Sequence, residues 1–252
     1  FRARDTGREN QRSMIRRHEP LWLNALLMRV AALMTRRFLV PRLASVEEGL
    51  RVLRPSHVHI SGPGISVGRH VHLHAERDAS IHLSTWALDG NSPRIEVGDY
   101  TIINPGVRVI AAERITLGAG CMLATGAYIS DADWHGLYHR AFPPGTTAPV
   151  TLGDNVWVAD GARILKGVKV GDNAIVAAAA VVAENVPANT VVAGNPARVV
   201  KELDPQAPAT TRRDLFEDLD YLVFEREYLR RTLRDNTLAG YLRARLIPRR
   251  GD

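Results

Sequence analysis

The chain is poor in cysteine and in aromatic residues. Cys121 is its one cysteine, so no disulfide can form within the chain, and this suits a reducing compartment such as the cytoplasm. We expect its thiol to be a small buried apolar group rather than a nucleophile. Aromatic residues make up 6% of the 252 residues, which is sparse for a protein that stacks the bases of single-stranded nucleic acid.

Basic residues are not spread over the chain. The formal net charge is +6, and arginines are concentrated near the two ends rather than in a stripe along the middle. This distribution argues against a nucleic-acid binder and fits contact with anionic lipid or with an anionic acceptor better. The arginines in question are Arg12, Arg16 and Arg17 near the start and Arg243, Arg245, Arg249 and Arg250 near the end.

A long uninterrupted apolar run is also missing. Residues 21–40 form the most apolar stretch, but Asn24 and Arg29 interrupt it. An arginine at the bilayer centre costs about 2.5 to 3.5 kcal/mol on insertion scales, so a spanning helix is disfavoured. We predict an amphipathic helix that packs on protein, with a position on a membrane surface as the alternative. A cleavable signal is not expected at the start, and the predicted location is cytoplasmic, peripheral to the inner face of the membrane if the basic ends bind lipid.

Aliphatic residues recur every six positions through the middle of the chain, and a second small or branched residue follows each member of the last series after four positions. Two inward positions per six residues are incompatible with a helix face of period 3.6. They predict short strands joined by tight corners, with three six-residue sides to a coil, so Gly153 and Gly171 mark equivalent corners eighteen residues apart. The first set is Val97, Ile103, Val109, Ile115, Leu117, Leu123, Ile129, Leu152, Val158, Ile164, Val170, Val176 and Val182, and the second is Val156, Ala162, Val168, Ala174, Ala180 and Val186.

Breaks in the period divide the chain. We predict an N-terminal helical extension over residues 1–54, a solenoid over 55–203 and a C-terminal helical extension over 204–252. Residues 131–149 are the largest break inside the solenoid, and a loop of this length leaving a compact coil is typical of a functional segment. The extensions are expected to cap the solenoid or to join subunits, since bare ends would expose strand edges.

The stretch VTLGDNVWVADGARILKGVKVGDNAIVAAAAVVAENVPANTVVAGNPARVV, residues 150–200, closely resembles hexapeptide-repeat acyltransferases of the maltose and galactoside O-acetyltransferase group. The resemblance covers about residues 60–203. It implies a mainly β fold, a left-handed parallel β-helix with α-helical extensions outside it, a homotrimer with active sites between subunits, and acetyl-CoA as acyl donor with no metal. The handedness comes from the family, because periodicity alone gives only a β-solenoid.

The resemblance also implies a histidine base on the long loop, and His135 matches its position, with His139 as the less favoured choice. Imidazole with a pKa near 6.5 can accept the proton of an acceptor hydroxyl as it attacks the thioester. Asp131 or Asp133 is expected to orient the ring. The acceptor-binding residues predicted with it are Asn104, Asp133 and Tyr138, and Trp134, Tyr138 and Phe142 allow a sugar ring, a lipid-linked glycan or a hydrophobic alcohol to stack.

Five further positions match the coenzyme A site of the family: Ala159, Asp160, Ala178, Arg198 and Lys201. Small residues let the pantetheine arm approach the backbone, and the cations suit the nucleotide phosphates. Two departures stand out. Glu184 replaces a lysine on the coenzyme side, and Ala111 and Ala112 stand where the sugar acetyltransferases carry an acidic acceptor residue.

Two other functions are compatible with a solenoid. A γ-class carbonic anhydrase would place a three-histidine zinc site between subunits, and His70, His72 and His74 alternate as on one strand face. A non-catalytic scaffold for assembly or membrane contact would use the basic ends. We favour the acyltransferase, which acylates a hydroxyl of a sugar, glycan or glycolipid, because AGNPARVV and the histidine-bearing loop both match that family.

Overall fold

The structure of the chain is a computed structural model that describes residues 18–87, 90–141, 145–217 and 221–249, the side chain at position 222 excepted. The described residues form two compact units, one within 31–217 and one made of 18–30 with 221–249. Five residues discussed above, namely Arg12, Arg16, Arg17, Phe142 and Arg250, lie outside the described residues.

The unit within 31–217 is a parallel β-solenoid built from three sheets. In its described part, six coils each contribute one short strand to each sheet, and strands of successive coils pair in parallel. Sheet A contains β1 (Ser45–Val46), β4 (Ile65–Val67), β7 (Arg94–Val97), β10 (Arg114–Leu117), β13 (Val150–Leu152) and β16 (Lys169–Val170). Sheet B contains β2 (Arg51–Leu53), β5 (His72–His74), β8 (Ile102–Ile103), β11 (Met122–Leu123), β14 (Trp157–Val158), β17 (Ile175–Val176), β19 (Thr190–Gly194) and β20 (Ala197–Glu202). Sheet C contains β3 (Val58–Ser61), β6 (Ile81–Thr85), β9 (Arg108–Ala111), β12 (Tyr128–Ser130), β15 (Arg163–Ile164) and β18 (Val181–Val182).

The core is the interior of the prism that these sheets enclose. Every member of the two predicted aliphatic series is 5% exposed or less, so the six-residue period is confirmed. Each fully buried Val, Leu or Ile side chain contributes roughly 1.5 to 3 kcal/mol relative to an exposed one. The stack of such side chains is therefore the main source of stability for a fold whose strands are only two to six residues long. Cys121 also lies in this core and is fully buried, as expected.

Corner one joins sheet A to sheet B, and its residues stack from coil to coil. A Cβ added to Gly118 would lie 2.4 Å from the backbone of Gly153, so only glycine fits this position. Two positions further on, the backbone is left-handed, with φ of 56° at Asn155 and 58° at Asn173. Asparagine tolerates this conformation better than most residues. Gly153 and Gly171 occupy equivalent corners, as predicted.

Corner two joins sheet B to sheet C, and corner three joins sheet C to sheet A of the next coil. Extra residues enter the solenoid at corner three, and in the first two coils also at corner two, where Leu73 and Leu83 are ten residues apart. Gly98 and Gly118 are twenty residues apart, yet β7 and β10 pair in full register. The predicted loop at 131–149 leaves at the same corner, between β12 and β13.

The sheets begin ten residues before the predicted boundary at residue 55. β1 pairs with β4 through Ser45 and Ser66, and β2 pairs with β5 through Val52 and Leu73. Residues 43–54 therefore belong to the first coil and not to a helical extension. The register places Val46, Val52 and Ile60 of this coil beside Val67, Leu73 and Leu83 of the next, so the inward aliphatic pattern begins before residue 55.

The helices are short. The predicted apolar segment contains α1 (Leu21–Met34), followed by a π-helical turn at Thr35–Leu39 and a 3₁₀ turn at Val40–Arg42, and a further 3₁₀ turn lies at Pro55–His57. The C-terminal part contains α2 (Arg212–Glu217), α3 (Tyr221–Leu233) and α4 (Leu238–Leu246), and Glu227 and Arg231 form an ion pair at 3.1 Å on α3. In the described part of the chain, no helix combines the length and apolar character needed to cross a membrane.

Candidate active site

The loop that carries His135 has a narrow base. Ala132 and Thr147 face each other in an antiparallel bridge. The Asp133 N–H donates to the Thr146 carbonyl at 2.9 Å, and the Gly145 N–H donates to the Asp133 carbonyl at 2.6 Å. These bonds join the two ends of the loop, so its base has a defined path although it lies outside the coil.

Asp131 fixes the start of this loop to the preceding coil. Its buried carboxylate accepts hydrogen bonds from the backbone N–H groups of Ala112 at 2.7 Å and Glu113 at 2.8 Å. Burial raises the pKa of Asp131, and these backbone donors oppose the rise. Ala111 and Ala112 are both fully buried at this corner, so the acidic acceptor residue of the sugar acetyltransferases has no counterpart there.

Asp133 fixes the same loop to the following coil. Its carboxylate lies 3.0 Å from Nζ of Lys166 and accepts a hydrogen bond of 2.8 Å from the Thr146 hydroxyl. The Lys166 ammonium is the main reason that the pKa of Asp133 is lowered. In the described part of the chain no hydrogen bond joins Asp131 or Asp133 to His135. The expectation that one of them orients the imidazole is therefore corrected, because both carboxylates hold the loop itself.

His135 is solvent-exposed and follows a tryptophan that is held in place. The indole N–H of Trp134 donates to Oγ of Ser130 at 3.2 Å. The ring of Trp134 also lies 5.8 Å from that of Trp86, at an interplanar angle of 60°. Trp86 remains 54% exposed, and Tyr138 on the outer part of the loop is 92% exposed. The base of the loop therefore presents two aromatic rings, and His135 directly follows one of them in the sequence.

Trp86 was missed by the sequence interpretation. It directly follows β6 at corner three, as Trp134 follows β12 two coils later. Its position after a strand of the same sheet is the signal that relates the two residues. The sequence alone could not show their contact, because the segments that carry them differ in length.

Corner two brings together four predicted site residues. Asn104, Ala159, Asp160 and Ala178 all lie at this corner, on the third, fifth and sixth coils. The Asn104 amide Nδ2 donates to the Leu123 carbonyl at 2.9 Å, and the Asp160 carboxylate accepts the Thr125 N–H at 3.0 Å. Corner two is thus a ridge of small side chains and turns, with the polar groups of Asn104 and Asp160 bound to the neighbouring coil.

Arg198 and Lys201 lie on β20, which pairs antiparallel with β19 at the end of sheet B. Both are exposed. Nη2 of Arg198 lies 3.2 Å from Oε1 of Glu184. Glu184 therefore places a carboxylate against Arg198.

The three alternating histidines do not share one strand face. His70 lies before β5, at corner one, with φ of 52°, and its ring stacks on that of Phe216 in α2 at 4.9 Å. His72 contacts the edge of the same ring at 5.5 Å, while His74 lies 3.5 Å from Glu76. Burial lowers the pKa of His72 to about 3, and the charge of Arg212 adds to the effect. Among the described residues, no group of three or more His, Cys, Asp or Glu side chains is arranged to hold a metal ion.

Comparison with known families agrees with the repeat pattern. Residues 149–184 match the family described as bacterial transferase hexapeptide (six repeats). The predicted resemblance to hexapeptide-repeat transferases is confirmed. The matched segment covers β13 to β18, which form the two most regular coils of the hexapeptide-repeat solenoid.

Two curated relatives share parts of the chain. Galactoside O-acetyltransferase of Escherichia coli is 30% identical over 112 residues, which are 44% of this chain and 55% of that enzyme. The 2,3,4,5-tetrahydropyridine-2,6-dicarboxylate N-acetyltransferase of Enterococcus faecalis is 45% identical over 76 residues, which are 30% of this chain and 32% of that enzyme. The chain thus spans about half or less of the length of these acetyltransferases.

A solved structure extends the similarity of fold. A single-residue mutant of AntD, an N-acyltransferase from Bacillus cereus in complex with dTDP-4-amino-4,6-dideoxyglucose and coenzyme A, matches with a TM-score of 0.55 and 19% identity. The match covers 75% of this chain and 92% of that one. The fold of this chain therefore resembles that structure well beyond the segment that the family description matches.

Proposed function

We propose that the chain is a CoA-dependent O-acyltransferase that moves an acetyl group from acetyl-CoA to a hydroxyl of a sugar, glycan or glycolipid. The observation that carries this proposal is the loop at corner three, which leaves a solenoid with hexapeptide repeats and carries the exposed His135 directly after Trp134. The names of the aligned relatives support acetyl transfer, and the bound coenzyme A of AntD supports the donor.

In the proposed reaction His135 acts as general base. The imidazole accepts the proton of the acceptor hydroxyl as its oxygen attacks the thioester carbonyl, so a C–O bond forms. The tetrahedral intermediate collapses, the C–S bond breaks, and the proton passes to the coenzyme A thiolate. No acyl-enzyme is needed. His135 is exposed in the single chain, which suits a base that must reach a second substrate.

The proposed substrate positions lie at corners two and three. The coenzyme would lie along corner two, where Ala159 and Ala178 leave the backbone accessible, with its phosphates near Arg198 and Lys201. The acceptor would lie where corner three of one chain, with Asp133 and Tyr138, meets corner two of a neighbouring chain, with Asn104. We add Trp86 and Trp134 to this set, since tryptophan rings stack on the apolar faces of sugars. Asp133 would act through the loop that it anchors.

The proposal includes the geometry and assembly typical of the family. The coils would be left-handed, and three chains would assemble with active sites between neighbours. The apolar outer column of sheet B supports an assembly, because it contains the 42% exposed Trp157. α1 also carries exposed Trp22 and Leu33, at 57% and 65%, which supports contact with a membrane surface near the basic ends. Sedimentation velocity and flotation with anionic liposomes test these two statements separately.

The first test is isothermal titration with acetyl-CoA and with free CoA, with the zinc content of the same sample measured. Saturable binding is expected, and absence of binding together with one zinc per chain would overturn the proposal. The second test is turnover. His135→Ala should abolish acetyl transfer and retain acetyl-CoA binding, whereas the neighbouring control His139→Ala should retain both. Full turnover by His135→Ala would remove it as the base.

A further inference from the structure

The outer face of sheet C carries a column of five aligned side chains. His59, His82, Arg108, Tyr128 and Arg163 follow one another in strand register from β3 to β15. Each is followed along its strand by a buried aliphatic residue, so these five point outward. Strands in a sheet are about 4.8 Å apart, so the column is roughly 19 Å long.

Ring contacts hold the members of this column together. His59 and His82 stack with their centroids 4.7 Å apart. The guanidinium carbons of Arg108 and Arg163 lie 5.7 Å and 5.9 Å from the centroid of the Tyr128 ring. The two arginines come from the strands on either side of Tyr128, so their guanidinium groups flank its ring. This arrangement fixes two cations at a defined separation.

The positive charge of the column has no acidic counterpart. In the described part of the chain, Arg108 and Arg163 form no salt bridge. The pKa of His82 is lowered by burial, by His59 and by Arg108, so neighbouring members disfavour each other's positive charge. The adjacent outward column of sheet C contains Ser61, Ser84, Ile110 and Ser130 and no carboxylate. A bound anion would relieve this repulsion.

The column lies between the two corners of the proposed active site. Sheet C connects corner two, which holds Ala159 and Asp160, to corner three, where Trp86 and Trp134 meet at the base of the His135 loop. A molecule on this face is therefore next to both corners. Arginine binds phosphate and carboxylate oxygens through paired N–H donors, and each flanking guanidinium retains donors along its edge.

We propose that Arg108, Tyr128 and Arg163 form an anion-binding site for a phosphate or carboxylate group on the acyl acceptor. Tyr128 keeps the guanidinium groups apart rather than stacking on a sugar. The identity of the ligand as acceptor rests on the proposed acyl transfer, whereas anion binding by sheet C does not. The site would select charged acceptors over neutral sugars of the same size.

The test is direct binding in the absence of acetyl-CoA, at low ionic strength, with three probes. These are galactose 1-phosphate, galacturonate and the neutral methyl galactoside. The charged probes should bind at least tenfold more tightly than the neutral one, and their ratio shows whether phosphate or carboxylate is preferred. Arg108→Gln and Arg163→Gln should each weaken binding of the charged probe about tenfold. Arg94→Gln, which removes an exposed arginine from sheet A, is the matched control and should have no effect.

Equal binding of charged and neutral probes, or unchanged binding in the Arg108→Gln, Arg163→Gln double variant, would overturn the inference. Sedimentation velocity of the same variants tests whether this face instead binds another subunit. Dissociation of an oligomer in the double variant would assign the face to subunit contact and would also overturn it. Titration of the unchanged chain with acetyl-CoA separates the two proposals. If the chain does not bind acetyl-CoA, the proposed acyl transfer is contradicted, whereas the anion site on sheet C is not.

Discussion

The carboxylate of Asp133 lies 3.0 Å from the ammonium group of Lys166, and this pair ties the loop that carries His135 to the corner of the next coil. Asp131 ties the same loop to the preceding coil through the backbone of Ala112 and Glu113. The loop is therefore held from two coils at once, which gives His135, the proposed base, a defined position.

Lys166→Met removes one of these attachments and keeps most of the side-chain volume. We expect kcat for acetyl transfer to fall between about tenfold and a hundredfold, because a small displacement of His135 misaligns it with the acceptor. The acetyl-CoA affinity should not change. Since both partners are partly exposed, the free energy of unfolding should change by less than about 1 kcal/mol.

Steady-state kinetics with Lys169→Met as the charge-matched control on sheet A checks this prediction. Asp133→Asn combined with Lys166→Met should cost little more than either change alone, because both remove the same contact. Fully additive losses would show that the two residues act independently.

Glu184→Gln should tighten coenzyme binding. The carboxylate of Glu184 lies 3.2 Å from the Arg198 guanidinium, and its neutralisation leaves that cation available for a phosphate. An exposed pair of this kind is worth about 0.2 to 1 kcal/mol, so the Kd for acetyl-CoA should fall by about two- to fivefold. Isothermal titration calorimetry of both proteins measures this Kd. If the gain persists in the Glu184→Gln, Arg198→Ala double variant, Arg198 is not its source.

His72 should make the protein less stable in mild acid. Its pKa is lowered from 6.5 to about 3 by burial against α2, so the unfolded chain takes up a proton at a higher pH than the folded chain. The stability it supports is complete above pH 6.5 and is lost as the pH falls from 6.5 toward 3. Between pH 6.5 and 4.5 we expect an additional loss of about 2 kcal/mol in the free energy of unfolding.

Urea denaturation at several pH values checks the role of His72. His72→Phe should lose less stability than the natural chain over this interval, while His74→Phe, at a half-exposed position on the same strand, should follow the natural chain. Identical pH profiles for all three proteins would contradict the assignment.

Asn173 should stabilise corner one in two ways. Its backbone has φ of 58°, and its side chain accepts a hydrogen bond of 3.0 Å from Asn155 and donates one of 3.0 Å to Asn189. Asn173→Ala should lower the free energy of unfolding by about 1 to 3 kcal/mol, because the left-handed conformation and the lost bonds both cost. Asn173→Gly removes only the bonds and should be the milder change in thermal unfolding. Equal losses would show that the conformation costs nothing here.

The regular coils were predictable from the sequence because every coil must fill the same interior space with inward side chains. Two side chains of every six fill the prism, and the larger of the two recurs as Leu152, Val158 and Ile164, which reveals three sides of a coil without any knowledge of contacts. The corner glycines follow for a similar reason, since stacked backbones leave no space for a Cβ.

Features outside the repeat were not predictable in the same way. The pairing of Asp133 with Lys166 joins positions 33 residues apart, and it depends on the path of an irregular loop. Trp86 and Trp134 meet because two segments of unrelated length leave the same corner. The first coil was missed because its third inward residue, Ile60, follows Val52 after eight residues and not six, which breaks the period.

At corner three, the length of the chain varies from coil to coil while the strands keep their pairing. The chain adds two residues between Gly98 and Gly118 and a long loop between Gly118 and Gly153, and the strands on both sides remain in register. Segments at this corner can therefore be lengthened, shortened or exchanged between proteins without disturbing the prism or the ridge at corner two. A chimera that receives a foreign corner-three segment should keep its donor and change its acceptor, which gives such a scaffold a simple route to new specificities.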